Sequence, residues 1–400
     1  MAADVTIEPT SVVEEKELLK IGVIGMGNCG GQMVDLASEN GFDAVAINAS
    51  EKDLSLLKSD TVIEIPVGDG KGTGKNRDEA ADFFLNRINM VQDPVFAGFV
   101  DSHDVIVIAS SIGGGFGCGS SLILTDVLMK MTGGNKVIIP AGVFPFEDES
   151  YTAQNHAIEW LKELSKLEVS YILYDNAIFQ DKPKQEACNL INKQFVHDLQ
   201  VLRGDMLHET RTGGIDNRDM LTAIGVPGRL VIDTIPLLEA ADVVDGSIIA
   251  TLVKHIKDTS AHAEMADDKI IKASALMYAL RDEFSTAKPG LKSELQETFG
   301  SHINDYDNFT DLEDESDIPD TVSLILAGLS EPNLRINRLV SRRDKLEQEL
   351  LSKKQVTSKL SGASDGNEKL RIKAKSFASS EAPVKSTADF LSDYVASRKK

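Results

Sequence analysis

Cysteine is scarce in this sequence, tryptophan occurs once, and no apolar stretch approaches the length of a membrane span. Each shortage excludes a class of protein. Three cysteines in 400 residues give neither a disulfide framework nor a paired-cysteine zinc spacing. Two of them, Cys29 and Cys118, lie inside glycine-rich segments, which suits a reducing cytoplasm. The N-terminal MAADVTIEPTSVVEEKELLK has no apolar signal core, so the expected location is cytoplasmic and no membrane partner is expected. Positive charge is also short: 42 Lys and Arg face 63 Asp and Glu, a formal net charge of -21. So acidic a body repels nucleic acid, and any DNA contact must run through a local basic segment or an adaptor.

Apolar residues, by contrast, make up 42% of the chain, enough for two domains with appendages. From Lys20 to Asp181 the short β-rich runs KIGVIG, AVAIN, TVIEIPV, DVIVIASS, KVIIPAGV and VSYILYD alternate with helical segments. That alternation predicts an α/β fold, a parallel sheet with helices on both faces. The expected organisation is an N-terminal arm with a short acidic helix (1–19), a parallel-sheet domain (20–183), a central helix (184–212) and a smaller α+β domain (213–330). A long charged helix follows (331–356), with Leu339, Leu346 and Leu350 on a narrow stripe, and then a Ser/Ala/Lys-rich tail (357–400) expected to be disordered. The acidic stretch DLEDESDIPD reads as a solvated connection. Trp160 reads as core, and His255 and His262 as structural or solvent-facing.

Two glycine clusters follow strands and precede helices, where backbone N–H groups and a helix N-terminus can face an anion. GVIGMGNCGG (Gly22 to Gly31) contains G-x-G-x-x-G, but the second strand ends in Asn48, Ala49 and Ser50 rather than the acid that a dinucleotide-binding site places on the ribose. Glu51 and Asp53 read as the first turn of the next helix. GDGKGTGKN (Gly68 to Asn76) imitates the end of a Walker A motif, yet Asp69 stands where its first glycine belongs and Asn76 where its Ser/Thr belongs. It reads as a polar loop that could lie over a nucleotide. The second cluster is GGGFGCG, Gly113 to Gly119.

That cluster resembles the tubulin/FtsZ signature G-G-G-T-G-[ST]-G, and other segments resemble the family in order. GMGNCGGQ (Gly25 to Gln32) is similar to its first phosphate loop, INASEKDL to the next strand-end loop, and DNAIF (Asp175 to Phe179) to the ribose loop. INKQF resembles the start of the central helix and IDNRD the loop with paired acids; LAGLSEP and the long terminal helix resemble the TubZ group of plasmid and phage partition tubulins. The resemblance implies a GTP-binding domain, a central helix and a C-terminal activation domain, with GTP or GDP and Mg²⁺ as cofactors. The nucleotide would be held by Gly27, Asn28, Cys29, Gly30, Gln32, Asn48, Gly113, Gly114, Gly115, Phe116, Gly117, Cys118, Gly119, Asp175, Asn176 and Asn192. Asp216 and Asp219 would act on the γ-phosphate of a neighbouring subunit, so that a longitudinal self-polymer completes the GTPase and moves plasmid or phage DNA. On the residues alone, these two acids read first as a helix N-cap and a first-turn acid.

The chain departs from the family at Phe116, which replaces the signature threonine, and at Ala49. No magnesium ligand follows from the sequence, and a non-hydrolysing nucleotide-binding filament or scaffold is the alternative function. The tail, with its basic excess and its apolar Phe390, Leu391, Tyr394 and Val395, reads either as a solubilising segment or, as the TubZ resemblance implies, as one that engages a DNA-bound adaptor or a neighbouring filament.

Overall fold

The computed structural model describes residues 18–208, 214–237, 247–265, 271–284, 291–300, 304–360 and residue 397. Residues 1–17 of the expected N-terminal arm, the glycine break at 212–213 and nearly all of the expected tail lie outside these residues. The six runs read from the sequence are strands: β1 (Ile21–Met26), β2 (Asp43–Asn48), β3 (Ile63–Pro66), β4 (Val105–Ser111), β5 (Val137–Phe144) and β6 (Ser170–Asp175). They pair in parallel in the order β3-β2-β1-β4-β5-β6. The helices between them are α1 (Gly27–Glu39), α2 (Glu51–Leu54), α3 (Arg77–Asn86), α4 (Pro94–Ser102), α5 (Phe116–Thr132) and α6 (Tyr151–Leu164).

Neighbouring strand residues feed opposite faces. Val23, Ala44, Val107 and Ala109 pack with Met33 and Phe195 in one cluster, whereas Ile24, Val45, Ile106 and Ile108 pack with Phe84, Ile123 and Leu124 in another. Burial on both faces is why these strands read as unbroken apolar runs.

The central helix, α7 (Lys184–Arg203), ends at Gly204, whose φ of 94° is a left-handed cap that favours glycine. Its 20 residues span about 30 Å. The end of α7 lies at the edge of the sheet where strands begin: Arg203 O accepts from Leu19 N at 3.2 Å, and Arg203 Nη1 donates to Gly41 O at 3.5 Å. After α8 (Asn217–Ile224), the sheet continues through β7 (Gly228–Pro236), β8 (Ala273–Leu280), β9 (Asn304–Asp311) and β10 (Thr321–Leu329). β7 is parallel to β6 and antiparallel to β10, so one ten-stranded sheet runs on through β10, β8 and β9. α9 (Ile248–Thr259) and α10 (Leu291–Phe299) pack on this part.

Three sequence expectations change. The last helix, α11 (Asn333–Leu360), runs past the expected start of the tail. Its leucine stripe packs only at Leu339, which is fully buried, while Leu350 is 49% exposed. The acidic connection is not wholly solvated, because Asp320 is buried, accepts from Arg281 N at 2.6 Å and pairs with the Arg281 guanidinium. Among the described residues no helix is long and apolar enough to cross a membrane.

Candidate functional site: two glycine loops at the switch point

Strand order reverses between β1 and β4: β2 and β3 lie to one side, β5 and β6 to the other. Open parallel sheets leave a crevice at such a point, outside the carboxyl ends of the strands. The β1–α1 and β4–α5 turns both emerge there, and they carry the two glycine clusters.

The glycines let these turns touch. A Cβ on Gly27, where φ is +74°, would stand 3.1 Å from Gly117 N, and one on Gly117 would meet Met26 O at 2.5 Å. Gly30 packs against Ala109 O, where a Cβ would come to 2.2 Å. The Gly68–Asn76 loop lies across the second turn, since a Cβ on Gly115 would meet Thr73 Oγ1 at 2.6 Å and Lys75 Cα at 2.8 Å. The Walker A imitation is therefore a loop placed over the cradle, with Lys71 and Lys75 as its cations.

The helix caps separate these turns from the rest of the fold. Side chains cap the N-termini of α2, α3, α4, α6, α8 and α9, through Ser50, Asn76, Asp93, Ser150, Asp216 and Ser247. α1, α5 and α7 have no side-chain cap. The N-termini of α1 and α5 meet at the crevice, where free N–H groups and the aligned peptide dipoles favour a polyanion.

Side chains at the cradle mostly turn inward. Phe116 packs with Ile24, Met26 and Ile108 in the core, so it offers its backbone and not its ring; this is why the lost threonine hydroxyl leaves the turn intact. Cys118 is buried, and its Sγ donates to His156 O at 3.5 Å. Burial pushes its thiol up to about 12. Cys29 is likewise raised to about 12, by burial and then by the neighbouring Cys188 and Glu149, so neither thiol is a nucleophile at neutral pH. The Ser120 and Ser121 hydroxyls serve Phe116 O and Trp160 Nε1. His156 Nδ1 donates to Gly114 O at 2.8 Å, which fixes that turn from below. Asn28 is exposed and accepts from Gln32 Nε2 at 3.2 Å. Asn48 closes β2, with Oδ1 accepting from Ser50 N at 3.2 Å.

On the other side of the crevice, Asn176 Nδ2 donates to Phe144 O at 2.9 Å, while its buried Oδ1 has no partner among the described residues. Such an acceptor suits a base or sugar donor. Asn192 is buried on α7 one turn beyond Cys188. Asp175 is 1% exposed; one oxygen accepts from Ala177 N at 3.0 Å and the other from Arg335 Nε at 2.7 Å. Its carboxylate is thereby held within the protein. Sequence reading missed this because Arg335 lies 160 residues away.

Asp216 and Asp219 stand apart from the cradle. They form a reciprocal capping box on α8, with Asp219 N donating to Asp216 Oδ1 at 2.8 Å. α8 follows the far end of α7, and a Cβ on Gly225 at its close would touch Val137 at the start of β5. The acids and the crevice therefore occupy opposite ends of one molecule, about 30 Å apart along α7.

The site residues fit a nucleoside triphosphate: a Cβ would fill the cradle, two helix N-termini are uncapped, and Asn176 Oδ1 is orphaned. Among the described residues no group of three or more His, Cys, Asp or Glu is placed to hold a metal ion.

Residues 20–182 match the model of the GTPase domain of the Tubulin/FtsZ family. The tubulin-like protein CetZ of Pyrococcus abyssi is 28% identical over 214 residues, covering 51% of this chain and 58% of that relative. The chain thus spans less than two thirds of that relative's length. Among solved structures, the GTPγS-bound protofilament of Haloferax volcanii CetZ2 matches with a TM-score of 0.65 at 19% identity, covering 84% of this chain and 100% of that one. The Clostridium botulinum phage c-st TubZ matches with a TM-score of 0.65 at 18% identity, covering 82% of this chain and 98% of that one. At these identities the solved structures establish the fold. Over residues 20–182, the chain is therefore similar to the GTPase domain of the tubulin/FtsZ family.

Proposed function

We propose that this protein binds GTP across the 25–32 and 113–119 turns and hydrolyses it to GDP and phosphate only when a second copy docks Asp216 and Asp219 against the nucleotide. The observation that carries this reading is the meeting of two uncapped helix N-termini at the β1–β4 switch point, with acids on the opposite end of the molecule. One subunit cannot bring the two together, but a head-to-tail pair can.

The backbone N–H groups of residues 27–30 and 114–118 hold the phosphates and offset the charge that builds on the leaving GDP. Lys71 and Lys75 add positive charge from above. Asn176 and Asn192 face the base and sugar. Asp216, from the next subunit, orients the attacking water and accepts its proton, with Asp219 holding that carboxylate in place. Mg²⁺, when bound, supplies charge neutralisation and is held by phosphate oxygens and water. A relative in the form of a GTPγS-bound protofilament supports self-association.

The finer role is movement or positioning of plasmid or phage DNA in the cytoplasm, through a DNA-bound adaptor that engages the tail at 357–400. The fold likeness to a phage TubZ supports it. Deleting residues 361–400 then leaves assembly intact and abolishes adaptor capture.

Pelleting and phosphate release with GTP or GDP test the core reading. Wild type pellets with GTP, not GDP, and releases phosphate. Asp216→Asn keeps the cap acceptor, pellets with GTP, and loses about 100-fold in phosphate release. Pelleting by wild type without phosphate release would make the chain a non-hydrolysing filament instead.

A further inference from the structure

Three arginines tie α11 to the rim of the crevice. Arg335 is fully buried; its Nε donates to Asp175 Oδ2 at 2.7 Å, its Nη2 to Pro145 O at 2.7 Å, and its guanidinium lies 5.0 Å from the Phe144 ring centre. Arg338 Nε is 3.3 Å from Glu147 Oε1, and Arg342 Nε donates to Glu147 O at 3.0 Å. Residues 335, 338 and 342 share one helix face. Their partners are the ends of β5 and β6, the loop at 145–150 and, for Arg338 Nη1, Glu264 Oε2 at 3.1 Å in the segment after α9.

That loop contacts the signature turn, the turn after Asn176 and the start of α7. Pro145 backs the signature turn, where a Cβ on Gly113 would meet it at 3.0 Å. Glu147 N donates to Gln180 Oε1 at 3.2 Å, beside the Asn176 turn. At the start of α7, Lys184 lies over Phe146 at 5.2 Å and 3.7 Å from Asp148. Glu149 lies near enough to Cys29 and Cys188 for its charge to raise both thiols. A cavity of about 290 Å³, lined in part by Asp175, His262, Glu264 and Arg338, borders the clasp.

We infer that α11 is an allosteric arm for the nucleotide site, with Arg335, Arg338 and Arg342 as positioning residues for the 145–150 loop. The inference rests on the nucleotide reading of the crevice. A pull or tilt applied to the free end of α11 moves the loop and speeds nucleotide release; by reciprocity, a bound nucleotide tightens α11.

Arg338 and Arg342 lie at the rim, so their replacement spares the core. Release of a fluorescent N-methylanthraniloyl GDP is followed in the full chain at concentrations below assembly, with hydrogen exchange of α11 measured beside it. Arg338→Ala/Arg342→Ala releases the nucleotide about fivefold faster, and Arg338→Lys/Arg342→Lys restores the wild-type rate. GDP slows exchange across α11 in wild type and not in the alanine variant. Equal release rates in wild type and the alanine variant overturn the inference while leaving the site intact. A wild type that takes up no guanine nucleotide overturns the reading of the crevice itself.

Discussion

At single residues the cradle sorts glycines that the turn requires from those it merely contains. A methyl group on Gly117 would strike Met26 O at 2.5 Å, but on Gly114 it would find its nearest neighbour at 3.8 Å. Gly117→Ala is expected to lose about 2 kcal/mol of stability together with nucleotide binding, and Gly114→Ala to retain both; thermal unfolding and GDP titration separate them. Phe116 gives a second contrast. Because the ring is part of the core, Phe116→Thr is expected to cost about 3 kcal/mol without tighter GTP binding. Gain of affinity in that variant would show that the position 116 side chain faces phosphate after all. The glycine positions were legible in the sequence, since no other residue accommodates such approaches. The fate of Asp175 was not, because a strand-end Asp looks the same whether it faces a sugar or an arginine far along the chain.

Among the elements, α7 carries a buried polar junction. Asp198, fully buried, accepts from Tyr174 Oη at 2.6 Å and Gln194 Nε2 at 2.9 Å, and lies 3.0 Å from His262 Nε2. It thereby links α7 to β6 and to the segment after α9. Burial alone would raise its carboxyl, but His262 and His197 outweigh that and hold it at about 2, against an ordinary 3.8. A depressed carboxylate contributes its stability above the ordinary value and loses it as pH falls through the folded one. About 2 kcal/mol should therefore disappear between pH 4 and pH 2, and a melting series across that interval should show a drop that is blunted in Asp198→Asn. The strands and the start of α7 followed from periodicity, but the helix stops at Gly204 and not at the glycine break expected at 212–214. This junction did not follow from periodicity, because its members come from three distant segments and each reads alone as an ordinary polar residue. Likewise, the leucine stripe of α11 was visible as a pattern, but which turns find a partner depends on where α6 ends.

For the whole molecule, the separation of the acids from the crevice is the consequential feature. On the proposed function, a chain with Asp216 near its own nucleotide would hydrolyse as a monomer, whereas one with an intervening α7 would wait for a neighbour. Family order in the sequence pointed to that division, and the fold accounts for it by the direction of α7 along the sheet. Mixing two defective chains tests it most directly. Asp216→Asn has the cradle without the acid, and Gly117→Ala has the acid without the cradle. Neither should release phosphate from GTP alone, and an equimolar mixture should recover a measurable rate that rises with total protein concentration. Phosphate release by dilute wild type at a rate independent of concentration would contradict a site shared between two copies.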